Sequence, residues 1–256
     1  MPDKRYEMFG WDYQQINRLS QKEINWYVSF AQKTGGPVLE LACGAGRLLI
    51  EIARQGFDCD GIDLSPNMLA IAENNVSALP MDISSRVRLH NMDMADFDLG
   101  RKFGLAIVAD NSFRELVTMP QQESCLRCVY RHLRRGGKLL VTVRRFDPSR
   151  YQDGRREWGW STPLRNPVSG EIVTRKVESE LTEDGRRIRG AFLYKTTHAD
   201  GRETLEKCGF EAPIMLKSDY ISLFTKTGFQ PHVFAGYESE KDDEQSPIMS
   251  FVCDKK

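Results

Sequence analysis

The stretch that decides the fold is VLELACGAG, residues 38–46. Its first five residues are apolar except for Glu40, as expected for a short strand that is buried on both faces. Gly44 and Gly46 allow a tight turn and a close approach to a ligand, because neither carries a Cβ atom. The residues from Arg47 onward have the pattern of a helix. A strand, a glycine turn and a helix in this order are typical of folds that bind a nucleotide-like cofactor.

Downstream of this stretch, strand and helix patterns alternate. Such alternation predicts parallel βαβ units with helices on both faces of one sheet. We therefore expect an α/β fold, a doubly wound and mostly parallel seven-stranded sheet of the Rossmann-like type. The predicted strands are 38–42, 57–62, 87–91, 105–109, 138–144, 229–236 and 248–253, and the predicted helices are 47–55, 66–77, 121–133 and 216–227.

The pattern changes between residues 148 and 215. Strand-like runs at 171–181, 187–198 and 202–215 are separated by Asp184-Gly185 and Asp200-Gly201, which are hairpin turn signals. They predict an inserted antiparallel sheet, whereas 148–167 has the composition of a loop. The expected domains are a helical cap at 1–36, a cofactor-binding core at 37–147 and 216–256, and a substrate-covering lid at 148–215.

Composition limits the possible partners and location. The 256 residues contain 36 Lys and Arg against 36 Asp and Glu, and this neutrality argues against bulk attraction to nucleic acid or to an anionic membrane. No apolar run reaches the ~20 residues of a membrane span, and the N-terminal segment lacks the apolar core of a signal peptide. We expect a cytoplasmic protein with reduced cysteines. Cys125 and Cys128 form a lone CxxC in a helical pattern, so no metal site is predicted.

The acids around the glycine turn indicate which cofactor is bound. Asp63 ends the second strand, where a carboxylate can accept hydrogen bonds from ribose hydroxyls, and Asp93 follows the third strand, where it could bind an adenine amino group. The third glycine of a dinucleotide fingerprint is replaced by Leu49. Together these features favour S-adenosylmethionine over a nicotinamide cofactor, although a dehydrogenase remains a rival. An alternative is that these acids have structural roles only. In that case Glu40 caps backbone amides, and Asp63 and Ser65 cap the helix predicted at 66–77.

Five successive segments resemble the motifs of class I S-adenosylmethionine-dependent methyltransferases: VLELACGAGRLLIEIA, GIDLSPNMLAIA, VRLHNMDMADFDL, FGLAIVADNSF and HLRRGGKLLVTV. They occur in the family's order and spacing over residues 38–145. The resemblance implies that the chain binds S-adenosylmethionine and transfers its methyl group. It also implies cofactor contacts from the methionine-binding Glu40, Ala42, Cys43, Gly44 and Gly46, the ribose-binding Asp63 and Leu64, the nearby Met68, the adenine-flanking Asp93 and Met94, Ala109 near the sulfonium, and Tyr13.

A narrower resemblance is to the bacterial N-methyltransferases of nucleotide-linked amino sugars. It includes MADFDLGRKF, the NSF step, the antiparallel insertion and ISLFTKTGF. In that group a histidine after the fourth strand assists deprotonation of the amine, and the aligned position here holds Glu115. A tyrosine of the group's N-terminal segment aligns with Gly10, and Tyr6 and Tyr13 lie close by in the sequence. These two departures bear on whether the substrate is an amino sugar. The prediction of a methyltransferase does not depend on them.

The residues after the fourth strand are the candidates for the reaction itself: Asn111, Arg114 and Glu115. Glu115 could act as a general base, or it could begin the next helix and interact with its dipole. Arg114 could pair with an anionic substrate or with Asp110. The absence of a D/N-P-P-Y/F motif argues against methylation of amino groups on DNA bases.

An arginine-rich loop at 144–156, followed by Trp158 and Trp160, is either a solvated surface or a contact for an acidic small molecule. We therefore predict a methyltransferase that acts on N or O of a small-molecule acceptor, which could be anionic. The alternatives are an RNA or protein methyltransferase, or a non-catalytic regulator that binds S-adenosylmethionine. A small-molecule substrate is the partner we expect, without nucleic acid or membrane, and a homodimer is left open.

Overall fold

The structure is a computed structural model of the 256-residue chain, and it describes Tyr6, Gly10 and residues 19–166, 169–238 and 244–256. Tyr13 and most of the first part of the predicted helical cap lie outside these residues. Among the described residues, no helix is long and apolar enough to cross a membrane.

Seven strands form the main sheet in the order β11-β12-β5-β4-β1-β2-β3. They are β1 (Val38–Leu41), β2 (Cys59–Asp63), β3 (Val87–Asn91), β4 (Phe103–Val108), β5 (Leu133–Arg144), β11 (Phe229–Ala235) and β12 (Ile248–Lys255). Neighbours from β3 to β5 are parallel, whereas β12 runs antiparallel to both β5 and β11. The predicted mostly parallel seven-stranded sheet is confirmed.

Six helices are described, and several begin at a residue that caps their free amides. They are α1 (Gln21–Thr34), α2 (Arg47–Arg54), α3 (Pro66–Ser77), α4 (Met81–Ser84), α5 (Met119–His132) and α6 (Lys217–Lys226). The hydroxyl of Ser65 accepts a hydrogen bond from the Met68 amide at the start of α3, and Thr118 forms a capping box with Gln121 at the start of α5. Each cap therefore fixes where a helix leaves the edge of the sheet.

The strand order reverses at β1, and this reversal positions the site. Leu41 at the end of β1 is in register with Ile62 of β2 on one side and with Val108 of β4 on the other. Because the chain continues from β1 to β2 in one direction and later returns to β4 in the other, the loops after β1 and β4 separate. In open α/β sheets, this crevice at the carboxyl ends of the strands is where ligands bind.

The centre of the sheet is fully buried. All residues of β1 and β4 are buried, and Phe103, Leu105 and Leu140 have no exposed surface. Apart from Glu40 in β1, these strands are apolar because helices cover both faces of the sheet. The loops that build the site are therefore attached to fully buried strands.

The second sheet has the order β10-β9-β8-β6, with β7 paired to β8. Its strands are β6 (Arg155–Trp158), β7 (Leu164–Arg165), β8 (Ile172–Leu181), β9 (Arg187–Thr197) and β10 (Glu203–Pro213). The predicted antiparallel insertion is confirmed, with its two hairpins. The expectation that 148–167 is only a loop was wrong, because β6 and β7 lie within it. Both are short and rich in arginine, and they are held by pairing with β8, which the local sequence does not reveal.

Candidate functional site

The backbone is strained at the crevice between β1 and β4. Ala42, Asp110 and Asn111 have positive φ angles of 53°, 48° and 69°, which residues other than glycine rarely adopt. Ala42 follows β1, whereas the other two residues follow β4. Such strained residues concentrate at ligand-binding loops, where the surrounding structure holds them in place.

The glycine turn after β1 packs closely against α3. Gly44 and Gly46 have φ angles of 54° and 75°. A Cβ atom on Gly44 would lie 3.1 Å from the Met68 methyl carbon, and one on Gly46 would lie 3.4 Å from the Cβ of Ala72. Glycine is therefore required for both the conformation and the close approach.

Asp63 links this turn to the start of α3. Its Oδ2 accepts a hydrogen bond from the Gly44 amide at 2.7 Å, and its Oδ1 accepts one from the Ser65 amide at 2.9 Å. Burial raises the pKa of Asp63, and the amide hydrogen bonds oppose that rise. Each carboxylate oxygen has a second lone pair, so Asp63 can hold the two loops and still accept hydrogen bonds from a ligand.

Glu40 lies within β1 and is only 4% exposed. Its Oε2 is buried and forms no hydrogen bond with the residues that the structure describes. Burial raises the pKa of Glu40 to about 8, while the nearby Arg47 opposes the rise. An acid buried beneath the glycine turn with an unsatisfied oxygen is suited to a cationic hydrogen-bond donor.

A cavity of about 390 Å³ opens beside the turn. Four carboxylates line it, and none of the lining residues that the structure describes is Lys, Arg or His. An excess of negative charge in a concave site attracts positively charged ligands and repels anionic ones. The acidic lining residues are Asp63, Asp93, Glu115 and Glu211, of which Glu211 is balanced by ion pairs with Arg187 and Arg189.

The structure brings eight of the predicted residues to this cavity: Ala42, Gly44, Asp63, Leu64, Met68, Asp93, Met94 and Glu115. Asp93 also accepts a hydrogen bond from the Ala95 amide at 2.8 Å, which fixes the loop after β3. The predicted residues Glu40, Cys43, Gly46, Ala109, Asn111 and Arg114 do not line it. Cys43 packs against Gly61 of β2, where an added Cβ atom would lie 2.7 Å from its sulfur.

The three candidates for the reaction have different positions. Asn111 accepts a hydrogen bond from the Arg144 amide at 3.0 Å, and Arg114 donates one to the Pro213 carbonyl at 3.1 Å. Their side chains therefore hold backbone segments together, and Asp110 pairs with Arg47 rather than with Arg114.

Glu115 lines the cavity at the end of a one-turn 3₁₀ helix, Ser112–Glu115. The hydroxyl of Tyr6 donates a hydrogen bond to its Oε1 at 3.4 Å. The alternative that Glu115 begins the next helix was wrong, because α5 begins at Met119 and is capped by Thr118.

Several lining residues were not predicted from the sequence. Gly209, Phe210 and Glu211 come from β10 of the second sheet, and Met92 comes from the loop after β3. Met92 precedes Asp93, which was predicted, so its position beside the cavity could have been inferred from the sequence. The β10 residues carry no local signal, because their position depends on how the second sheet folds over the first.

These features can be tested against two cofactors that share an adenosine half. A dinucleotide would bring a diphosphate to a cavity that has four carboxylates and no basic side chain among its described lining residues. S-adenosylmethionine brings a sulfonium and an ammonium group, and the unsatisfied Glu40 oxygen lies beneath the turn that would hold its methionine part. The site therefore fits the sulfonium cofactor, with Asp63 available for ribose and Asp93 for adenine.

Comparisons with known proteins agree with a site for S-adenosylmethionine. The model of the methyltransferase domain family matches residues 38–137. The dTDP-3-amino-3,4,6-trideoxy-alpha-D-glucopyranose N,N-dimethyltransferase of Streptomyces venezuelae is 31% identical over 201 residues, which cover 78% of this chain and 77% of that protein.

Two solved structures have the same fold along nearly the whole chain. The methyltransferase CcbJ from Streptomyces caelestis has a TM-score of 0.78 at 17% identity, covering 99% of this chain and 98% of that one. The amino pentose methyltransferase CalS10 from Micromonospora echinaspora has a TM-score of 0.71 at 22% identity, covering both chains fully at 100%.

The chain belongs to the S-adenosylmethionine-dependent methyltransferase family. It is an enzyme that methylates a small molecule, and S-adenosylmethionine supplies the electrophilic methyl group. The resemblance stated from the sequence motifs is confirmed, as is the cofactor.

Replacing Asp63 by alanine is expected to weaken binding of S-adenosylhomocysteine by roughly 1.5–3 kcal/mol, because charge-assisted hydrogen bonds are lost. Part of this loss comes from freeing the Gly44 amide, which positions the turn. Isothermal titration calorimetry measures the change, with the exposed Asp82→Ala variant on α4 as the control. Unchanged affinity in a folded Asp63→Ala protein would contradict the ribose assignment.

Proposed function

We propose that the enzyme methylates an amino group of its small-molecule acceptor and that Glu115 accepts the proton of that amine. The observation that supports this proposal is the lining of the cavity, in which Asp63, Asp93 and Glu115 add negative charge beyond the ion-paired Glu211 and no described residue is basic. A protonated amine is attracted to such a cavity, whereas a neutral hydroxyl gains nothing from its charge.

An amine must lose a proton before its nitrogen can attack a methyl group, because a protonated nitrogen has no free lone pair. A general base therefore has to lie within hydrogen-bond reach of the amine. Among the described lining residues, Glu115 is the carboxylate on the segment that follows β4, the strand at whose end the resemblance places the sulfonium. The proton moves from the amine nitrogen to a Glu115 oxygen, and the nitrogen lone pair becomes available for the new bond to carbon.

Residues 148–215 act in this proposal as the part that encloses the acceptor. Gly209, Phe210 and Glu211 of β10 line the cavity together with residues of the loops after β1, β2 and β3. The hydrogen bond from Arg114 to the Pro213 carbonyl fastens the end of β10 to the 3₁₀ turn that carries Glu115. An enclosing wall excludes water and orients the acceptor, and both effects accelerate a displacement reaction.

The relatives support an amino sugar as the acceptor. The Streptomyces venezuelae enzyme is an N,N-dimethyltransferase of a dTDP-linked amino sugar, and a relative from Streptomyces fradiae is an N,N-dimethyltransferase of another such sugar. This chain has Glu115 where that group has a histidine, so its acceptor need not be the same sugar.

Six buried free cysteines favour a reducing compartment, and we assign the reaction to the cytoplasm.

A matched pair of acceptors tests the proposal. The enzyme is incubated with labelled S-adenosylmethionine and either dTDP-3-amino-3,4,6-trideoxy-alpha-D-glucopyranose or its 3-hydroxy counterpart. A second panel contains free amino sugars and their hydroxyl counterparts. We expect label in amino compounds only, with mass spectrometry placing the methyl on nitrogen. Preferential labelling of the hydroxyl members would overturn the amine proposal while leaving the cofactor assignment intact.

A further inference from the structure

A second cavity of about 710 Å³ lies on the second sheet and adjoins the first. Gly209, Phe210 and Glu211 line both cavities, so one short segment of β10 forms the boundary between them. An acceptor whose amine lies beside Glu115 could therefore extend past Phe210 into the second cavity.

The second cavity differs from the first in its charges. It has four carboxylates, but each is paired with a basic side chain, so little negative charge is left unbalanced. The pairs are Glu157 with Lys176 at 2.8 Å, Glu178 with Lys207 at 2.9 Å, Glu180 with Arg155 at 3.8 Å, and Glu211 with Arg187 at 2.5 Å and Arg189 at 3.5 Å.

Arg156 is the basic residue of this lining that forms no ion pair with the residues that the structure describes. Its guanidinium carbon lies 3.7 Å from the centre of the Trp158 ring, which holds the group by a cation–π contact. Burial and the neighbouring charge of Arg150 lower the pKa of Arg156, with a smaller contribution from Arg144, while Tyr151 and Asp147 oppose this shift. A positive charge in this position is stabilised by an anion, and a guanidinium binds phosphate or carboxylate through two parallel hydrogen bonds.

Ser179 is a second, independent indication that this cavity binds a ligand. It is 7% exposed, it lines the same cavity, and its hydroxyl forms no hydrogen bond with the described residues. Ser179 is in register with Arg156 on β6 and with Gly190 on β9, so all three lie in one row across the sheet. A Cβ atom on Gly190 would lie 2.7 Å from the Phe210 ring and 2.8 Å from the Ser179 Cβ, so the ring lies directly beside this row.

We propose that the second cavity binds an acidic group of the methyl acceptor, a phosphate or a carboxylate, through the Arg156 guanidinium and the Ser179 hydroxyl. The acceptor then spans both cavities, with its amine in the acidic one and its acidic group on the second sheet. This inference rests on the proposed function for the position of the amine, but the anion site can be tested without methyl transfer.

Intrinsic fluorescence can report the binding, because Trp158 lies against Arg156. The full chain, saturated with S-adenosylhomocysteine, is titrated with inorganic diphosphate and, separately, with succinate at constant ionic strength. We expect a saturable change with at least one anion, which identifies phosphate or carboxylate as the preferred group. The Trp158→Phe variant should lose the signal, which assigns it to this tryptophan.

Variants of Arg156 and Ser179 then test whether these residues bind the anion. Arg156→Gln should weaken binding at least tenfold and Arg156→Lys by less, because lysine keeps the charge but loses the paired hydrogen bonds. Ser179→Ala should weaken it severalfold. Arg202→Gln is the matched control, because Arg202 lies in the hairpin between β9 and β10 and pairs with Asp200, outside both cavities.

Two results would overturn the inference. One is the absence of saturable binding of either anion, and the other is equal weakening by Arg156→Gln and Arg202→Gln, which would indicate general charge attraction. Failure of the amine proposal gives a different result, because the anion would still bind while the amino and hydroxyl acceptors would no longer be distinguished. Circular dichroism of each variant shows whether a loss of binding reflects a loss of structure.

Discussion

Replacing Glu115 by glutamine is expected to lower kcat about 100-fold, within the range that removal of a general base causes. Glutamine has nearly the same shape and still accepts the Tyr6 hydrogen bond, but it cannot take a proton from the amine. Affinity for S-adenosylhomocysteine should change by less than about twofold, because Glu115 is assigned to the acceptor. Single-turnover kinetics with labelled cofactor separates the two quantities.

The pH dependence provides a sharper test of the same role. Without the base, the variant depends on amine molecules that are already deprotonated, so its kcat should rise with pH over a range where the wild-type rate is level. Glu123→Gln is the control, since Glu123 lies on α5 and pairs with Arg127 and Lys226 at the surface. Equal loss of kcat and of cofactor affinity in Glu115→Gln would indicate a structural role instead.

Replacing Glu40 by glutamine is expected to weaken binding of S-adenosylhomocysteine by about 3 kcal/mol, or more than a hundredfold, because a buried partner of the ligand's ammonium loses its charge. The effect lies at the upper end of that expected for Asp63→Ala, because the buried Oε2 of Glu40 has no hydrogen-bond partner among the described residues. Calorimetry measures this change, and a loss below about threefold would contradict the contact.

The raised pKa of Glu40 adds a pH dependence to that binding. With a pKa of about 8, much of Glu40 is protonated near neutrality in the free enzyme, and a cationic ligand favours the ionised form. Wild-type affinity should therefore rise with pH until about 8 and then level off, and binding near neutrality should release a proton. Calorimetry in two buffers with different ionisation enthalpies detects the proton, and Glu40→Gln should abolish its release.

The stability of the free protein should change in the opposite direction. Because the pKa of Glu40 is higher in the folded chain than the ordinary value of 4.5, the folded state holds a proton that the unfolded state has lost. Wild-type stability should fall as pH rises from about 4.5 to about 8 through this group. Glu40→Gln lacks that dependence and should be at least as stable at pH 8, so its loss of binding cannot be attributed to unfolding.

The main sheet was predictable because its information is local. Buried strands such as 105–109 are apolar along their whole length, and the cap Ser65 marks where α3 begins. The hairpins of the second sheet were equally visible from Asp184-Gly185 and Asp200-Gly201. β6 escaped detection because its four residues include two arginines and a glutamate, and only its pairing with β8 makes it a strand.

The site was predictable on the cofactor side and less so on the acceptor side. Asp63 and Asp93 follow strands whose positions the sequence indicates, so their meeting at one edge of the sheet could be inferred. Phe210 lies 147 residues beyond Asp63 in the chain, and no periodicity shows that both border one cavity. The hydrogen bond from Arg114 to Pro213 likewise depends on the final packing of two sheets.

The placement of β10 on the walls of both cavities has a consequence for evolution and for enzyme engineering. Changes in this strand are expected to alter acceptor preference while the loops after β1, β2 and β3, which we assign to the methyl donor, stay unchanged. A small library that randomises Gly209, Phe210 and Glu211, the β10 residues that line both cavities, should therefore yield altered substrate ranges with the donor chemistry preserved. Related enzymes could acquire different acceptors in the same way, through substitutions in this one strand.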